Sequence, residues 1–112
     1  MKTYNHRNDI YYPLKHFQLG HLDNLSTASQ YWMVYENFLN RVAPGSSVLD
    51  WGCGDGHFSY FLLSKGFNTY SFNVNKEDSY NPDGCKLESF LSSEFQDSFK
   101  YKIGTQGPVY LP

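Results

Sequence analysis

A chain of 112 residues fits a single small domain, able to bury roughly two thirds of the surface that its extended form would expose. With a formal charge of −2 and no cluster of Lys or Arg, it shows no dedicated nucleic-acid surface, and no nucleic-acid partner is expected. No apolar run approaches the ~20 residues of a membrane span, and the opening Met-Lys-Thr-Tyr-Asn-His lacks the apolar centre of a signal peptide, so a cytoplasmic chain with no membrane partner is expected.

Ten Tyr and nine Phe make the composition unusually aromatic. Such side chains fill cores and also line ligand clefts and partner surfaces, so their number alone does not choose between the two. Cys53 and Cys85 are the only cysteines, and bridging a residue inside a glycine turn would distort the turn; both are expected as reduced thiols. His6, His16, His21 and His57 show no zinc-ligand spacing with either cysteine, and no metal is expected.

Residues 1–25 mix Tyr, His, Asn and Asp with Pro13 and Gly20, and no period of two or 3.6 persists, which predicts a loop-rich segment with at most one short helical turn. From Ser26 to Val42 the pattern is helical. Ser26 can cap the amino end, and Tyr31, Tyr35, Phe38, Leu39 and Val42 share one face, opposite Gln30, Glu36, Asn37, Asn40 and Arg41. Pro44-Gly45 stops that helix and turns the chain into a strand at Ser47–Trp51.

The stretch that follows is the most informative in the chain. Val48-Leu49-Asp50 leads through three glycines at alternate positions, Gly52, Gly54 and Gly56, into helical periodicity from His57 to Lys65, with Phe58, Phe61 and Leu62 on one face. Alternate glycines let a backbone turn sharply and let a ligand approach without a β-carbon in the way. Gly66 ends the helix, and Asn68–Val74 is the next strand, so strand, helix and strand form a βαβ unit with parallel strands. Beyond a polar stretch with a turn signal at Asn81-Pro82-Asp83-Gly84, residues from about Cys85 to Phe95 look helical. Phe99 to Ile103 alternate weakly as a third strand.

The order Val48, Leu49, Asp50, Gly52, Cys53, Gly54, Gly56 resembles motif I of the class I S-adenosylmethionine-dependent methyltransferases, apolar-Leu-Asp-x-Gly-Cys-Gly-x-Gly. Dinucleotide-binding proteins space their glycines Gly-x-Gly-x-x-Gly instead. The resemblance implies a partial Rossmann-like α/β fold, a three-layer sandwich with parallel strands in the order 3-2-1, preceded by an amino-terminal helix. It implies S-adenosyl-L-methionine as cofactor, held by Asp50, Gly52, Cys53, Gly54, Gly56, Asn73 and Val74. In that reading Asp50 accepts hydrogen bonds from turn amides and from the methionyl ammonium, the glycines and Cys53 present backbone, and Asn73 faces the ribose. Thr105 or Gln106 could lie near the adenine.

Two departures from the family pattern stand out. The second strand of such proteins ends in Asp or Glu, whose carboxylate takes both ribose hydroxyls, whereas this chain has Asn73, and Glu77 or Asp78 could substitute only from the loop. The family sheet also has seven strands, and this chain supplies what would be strands one to three. Residues 26–112 are therefore expected as the amino-terminal half of a methyltransferase domain, ending before strand four. The leading explanation is a truncated gene product; a half completed by a separate chain, or a small domain that borrows a partner's edge as a homo-oligomer, are the alternatives. Chemically, methyl transfer to a small-molecule or sugar-type acceptor is the leading function. A non-catalytic remnant that binds a partner through its open sheet edge is the second, and no catalytic base can be named. His57, next to the turn, is expected to face solvent.

Overall fold

A computed structural model describes residues 4–74 and 85–104, in two compact units, Met1–Pro44 and Gly45–Pro112. Asn81 to Gly84, Glu77, Asp78, Thr105 and Gln106 lie outside the described residues.

The first unit contains more helix than its sequence pattern predicts. A π-helical turn, Arg7–Tyr11, runs directly into α1 (Tyr12–Lys15), burying Ile10, Tyr11 and Leu14. Pro13 has no amide to carry an ordinary helical ladder, and in the wider turn just ahead of it the Tyr12 amide donates to the Arg7 carbonyl. That irregular spacing hides the 3.6-residue period. A 3₁₀ turn at Gly20–Leu22 follows and buries Leu22.

The helix expected from Ser26 to Val42 is two helices, α2 (Leu25–Ser29) and α3 (Trp32–Arg41). The cap is Asn24, not Ser26: its backbone is extended, and its side-chain oxygen accepts from the Thr27 amide at 2.9 Å. Between the helices the Gln30 amide reaches the Thr27 carbonyl and the Tyr31 amide the Ala28 carbonyl. These are i→i−3 bonds, a tightened turn that interrupts the helix before Tyr35 bonds back to Tyr31. On the aromatic stripe Tyr35 is fully buried, while on the far side Met33 is 73% exposed.

The second unit is α/β and follows the pattern closely. Strand β1 (Ser47–Trp51) leads to α4 (His57–Ser64) and β2 (Asn68–Val74). Then come α5 (Glu88–Phe95), a 3₁₀ turn at Gln96–Ser98 and β3 (Phe99–Gly104). Both expected early strands have the expected bounds, α5 starts three residues later than predicted, and β3 extends one residue further. The sheet is wholly parallel in the order β1-β2-β3, with β2 central, the 3-2-1 order of a partial Rossmann-like fold.

Register divides the side chains between two faces. Asp50, Ser71 and Tyr101 stand abreast on one, and Trp51, Phe72 and Lys102 on the other. Phe61, Leu62, Phe67, Phe72, Leu87, Leu91 and Phe99 are buried. Helix α4 packs on β2 and β1 and α5 on β3, so the helix starts are anchored where the strands end. Among the described residues β1 is an edge strand, with Leu49 45% and Trp51 57% exposed. No helix among them is long and apolar enough to cross a membrane.

Candidate functional site

The chain leaves β1 through a turn whose glycines are all left-handed: Gly52 at φ 67°, Gly54 at 57° and Gly56 at 103°. Only glycine takes such angles without strain. At Gly52 that freedom is the whole reason for the residue, because a β-carbon there would meet nothing within 4 Å. At Gly56 space matters as well. A β-carbon would lie 2.8 Å from the Cys85 sulfur and 3.3 Å from the Leu87 β-carbon, so the missing side chain lets α5 approach the start of α4.

The turn is tied down by its own amides. Those of Gly52 and Cys53 both donate to the Phe72 carbonyl, at 2.8 and 3.0 Å, and that of Gly56 donates to the Cys53 carbonyl. The Asp55 carbonyl accepts from the Leu87 amide at 3.0 Å and from the Cys85 thiol at 3.3 Å.

Asp50 was expected to accept from turn amides, but its bond comes from elsewhere. The Ser59 hydroxyl of α4 meets the Asp50 carboxylate at 2.6 Å and the Ser71 hydroxyl of β2 at the same distance. Burial pushes the Asp50 carboxyl above its ordinary value, and the Ser59 bond pulls partly against that shift. With the first two turn amides pinned to the end of β2, a hydroxyl from the facing helix supplies the donor.

Asn73 is buried at the end of β2, beside the turn, and both ends of its amide are engaged. Its oxygen accepts from the Gly54 amide at 2.8 Å, and its nitrogen donates to the Gly54 carbonyl at 3.0 Å and to the Tyr101 hydroxyl at 3.3 Å. The Cys85 amide donates to that same hydroxyl at 3.1 Å. A side chain expected to face a ribose therefore clasps the turn. With its amide protons spent on Gly54 and Tyr101, it retains one acceptor lone pair.

Asp50, Gly52, Cys53, Gly54, Gly56 and Asn73 thus converge on one bend at the carboxyl ends of β1 and β2, with Val74 closing β2. His57, expected to face solvent, is buried at the first turn of α4. Ser59, Ser71, Tyr101 and Cys85 were not among the site residues expected from sequence. Ser59 carried a signal, a small hydroxyl set among the apolar Phe58, Phe61, Leu62 and Leu63. Tyr101 carried none, because only the register of β3 against β2 sets it beside Asn73. No protein-family model matches the chain, and no curated protein matches it.

Proposed function

We propose that the second unit binds S-adenosyl-L-methionine at the Gly52–Gly56 bend and that the protein is a methyltransferase acting on a small-molecule or sugar-type acceptor. The observation that carries this reading is the bend itself. Three left-handed glycines, rooted in a half-buried Asp50, lie at the carboxyl end of a strand paired in parallel with its neighbour, where open α/β sheets receive ligands.

The residues fit such a nucleoside unevenly. Open space beside Gly52 suits a ligand lying against backbone, and the Asp50 carboxylate suits a cationic amino group, whose charge would offset the cost of burying it. Asn73 suits one ribose hydroxyl, not two, unless it releases Gly54. A neutral acceptor in place of a carboxylate weakens such contacts by ~1–2 kcal/mol, about tenfold or somewhat more in affinity. When bound, the sulfonium supplies both the methyl group and its leaving group. This chain's residues hold and orient the donor and exclude water around it.

A second reading, a non-catalytic methyltransferase-like module that binds a partner through its open edge, is favoured by the Asn73–Gly54 clasp and by the exposed Leu49 and Trp51 on β1. Calorimetric titration with S-adenosylhomocysteine separates the two. Saturable heat with wild type, strengthened in Asn73→Asp, is expected for the first; a flat titration with a folded chain leaves the second.

A further inference from the structure

Cys53 and Cys85 are distant in sequence and adjacent in space. Both are free and buried, at 6% and 7% exposure. Both also address the backbone of the same bend: the Cys85 sulfur lies 3.3 Å from the Asp55 carbonyl and the Cys53 sulfur 3.9 Å from the Gly54 carbonyl. The missing side chain of Gly56 is what admits the Cys85 sulfur, which would otherwise sit 2.8 Å from a β-carbon. Two cysteines used only as small apolar filler would not need to bring both sulfurs to successive carbonyls of one bend.

We propose that Cys53 and Cys85 are a redox-active dithiol whose disulfide fastens the glycine bend to the segment entering α5. The pair rests on its own geometry and holds whether or not a nucleoside binds at the bend. The two thiols are not equivalent. Hydrogen bonding to its partner holds Cys85 below the ordinary thiol range, and the same bond together with burial drives Cys53 above it, so Cys85 is the thiol that attacks first. With a low-molecular-weight disulfide as oxidant, the Cys85 thiolate attacks one sulfur and releases the other half as a thiolate, which takes up a proton. Cys53 then gives up its proton and displaces the second half from Cys85. Two protein thiols become one disulfide, and the small disulfide is reduced to two thiols. Both sulfurs are buried, so the small disulfide reaches Cys85 through local opening around the bend.

The test is to incubate the reduced, folded chain with oxidised glutathione and to read intact mass and tryptic peptides after acid quenching. The expected result is loss of both free thiols, a mass lower by two hydrogen atoms with no glutathione retained, and a cross-link joining peptides 42–65 and 77–86. Cys53→Ser should stop at a glutathione adduct on Cys85. Glutathione retained on both cysteines of the wild-type chain would overturn the proposal, as would two thiols that stay reduced under conditions that oxidise the urea-unfolded chain. The wild-type measurement decides the matter even if the variant does not fold.

Discussion

Within residues 4–44 the buried side chains are nearly all apolar, Ile10, Leu14, Leu19, Leu22 and Ala28 among them, and His6 is the exception. Between β1 and β3 the buried set also holds Thr69, which bonds to the Phe67 carbonyl at the start of β2, and Ser59, Ser71 and Asn73, which are knit into two hydrogen-bond clusters beside the glycine bend. A buried polar group left unbonded costs about 1–3 kcal/mol, so such clusters must be complete or be replaced by hydrocarbon. The second unit therefore has a packing problem that the first has largely avoided, and it has that problem at the place where parallel sheets take ligands. Variants that break the contrast between an apolar core and a polar junction are the way to test it.

The largest effect is expected at Gly56. Gly56→Ala must accept a left-handed backbone and push the Cys85 sulfur and the Leu87 β-carbon aside, and it should lower stability by ~2–4 kcal/mol in urea unfolding. A loss well under 1 kcal/mol would mean that α5 does not approach the bend as described. Next comes Ser59→Ala. Removing one hydroxyl deprives both the Asp50 carboxylate and the Ser71 hydroxyl of a partner, for ~1–3 kcal/mol. A double cycle with Ser71→Ala should show strong coupling between the two sites.

Asp50→Asn turns the same junction into a pH experiment. The folded chain holds the Asp50 proton more tightly than the unfolded chain does, because burial disfavours the carboxylate. The contribution of Asp50 to stability should therefore be greatest below the ordinary carboxylate range and fall as pH rises through the raised folded value. The amide can still accept from Ser59 and carries no charge, so the variant should equal or exceed wild type at neutral pH and lose the advantage in acid. Thermal melts across that range read the crossover. A wild type that instead gains on Asp50→Asn as pH rises would show that the carboxylate is stabilised in place.

How much of this was legible depended on what kind of regularity each region has. In the second unit the bounds of β1 and β2 and the start of α4 followed from alternation, from three glycines and from Gly66, which are local signals. Asn73 could be placed beside the bend by counting from Asp50. That it would clasp Gly54 could not be foreseen, because the clasp depends on how the bend folds back over the end of β2, and its further bond to Tyr101 depends on register across the sheet. In the first unit the local signals misled. A π-helical turn ahead of Pro13 has no 3.6-residue period, so helix read as loop. The tightened turn at Gln30 and Tyr31 leaves the apolar stripe in phase while breaking the helix.

The smallest effect should come from the contact between His6 and Glu36 in the first unit. His6 meets Glu36 at 2.6 Å, but the Glu36 side chain is 45% exposed, so its carboxylate keeps much of its hydration. Gln at position 36 retains an oxygen that can accept from the imidazole. Glu36→Gln should therefore cost ~1 kcal/mol or less, and added salt should narrow the difference further. His6 itself is buried and surrounded by the rings of Tyr4, Trp32 and Tyr35, so His6→Ala should cost several times more than Glu36→Gln. If the two losses were equal, the contact would act through its charge, and the first unit would share the polar dependence of the second. If the histidine's loss is much the larger, ring packing is what holds it, as the apolar company of Ile10 and Leu14 implies.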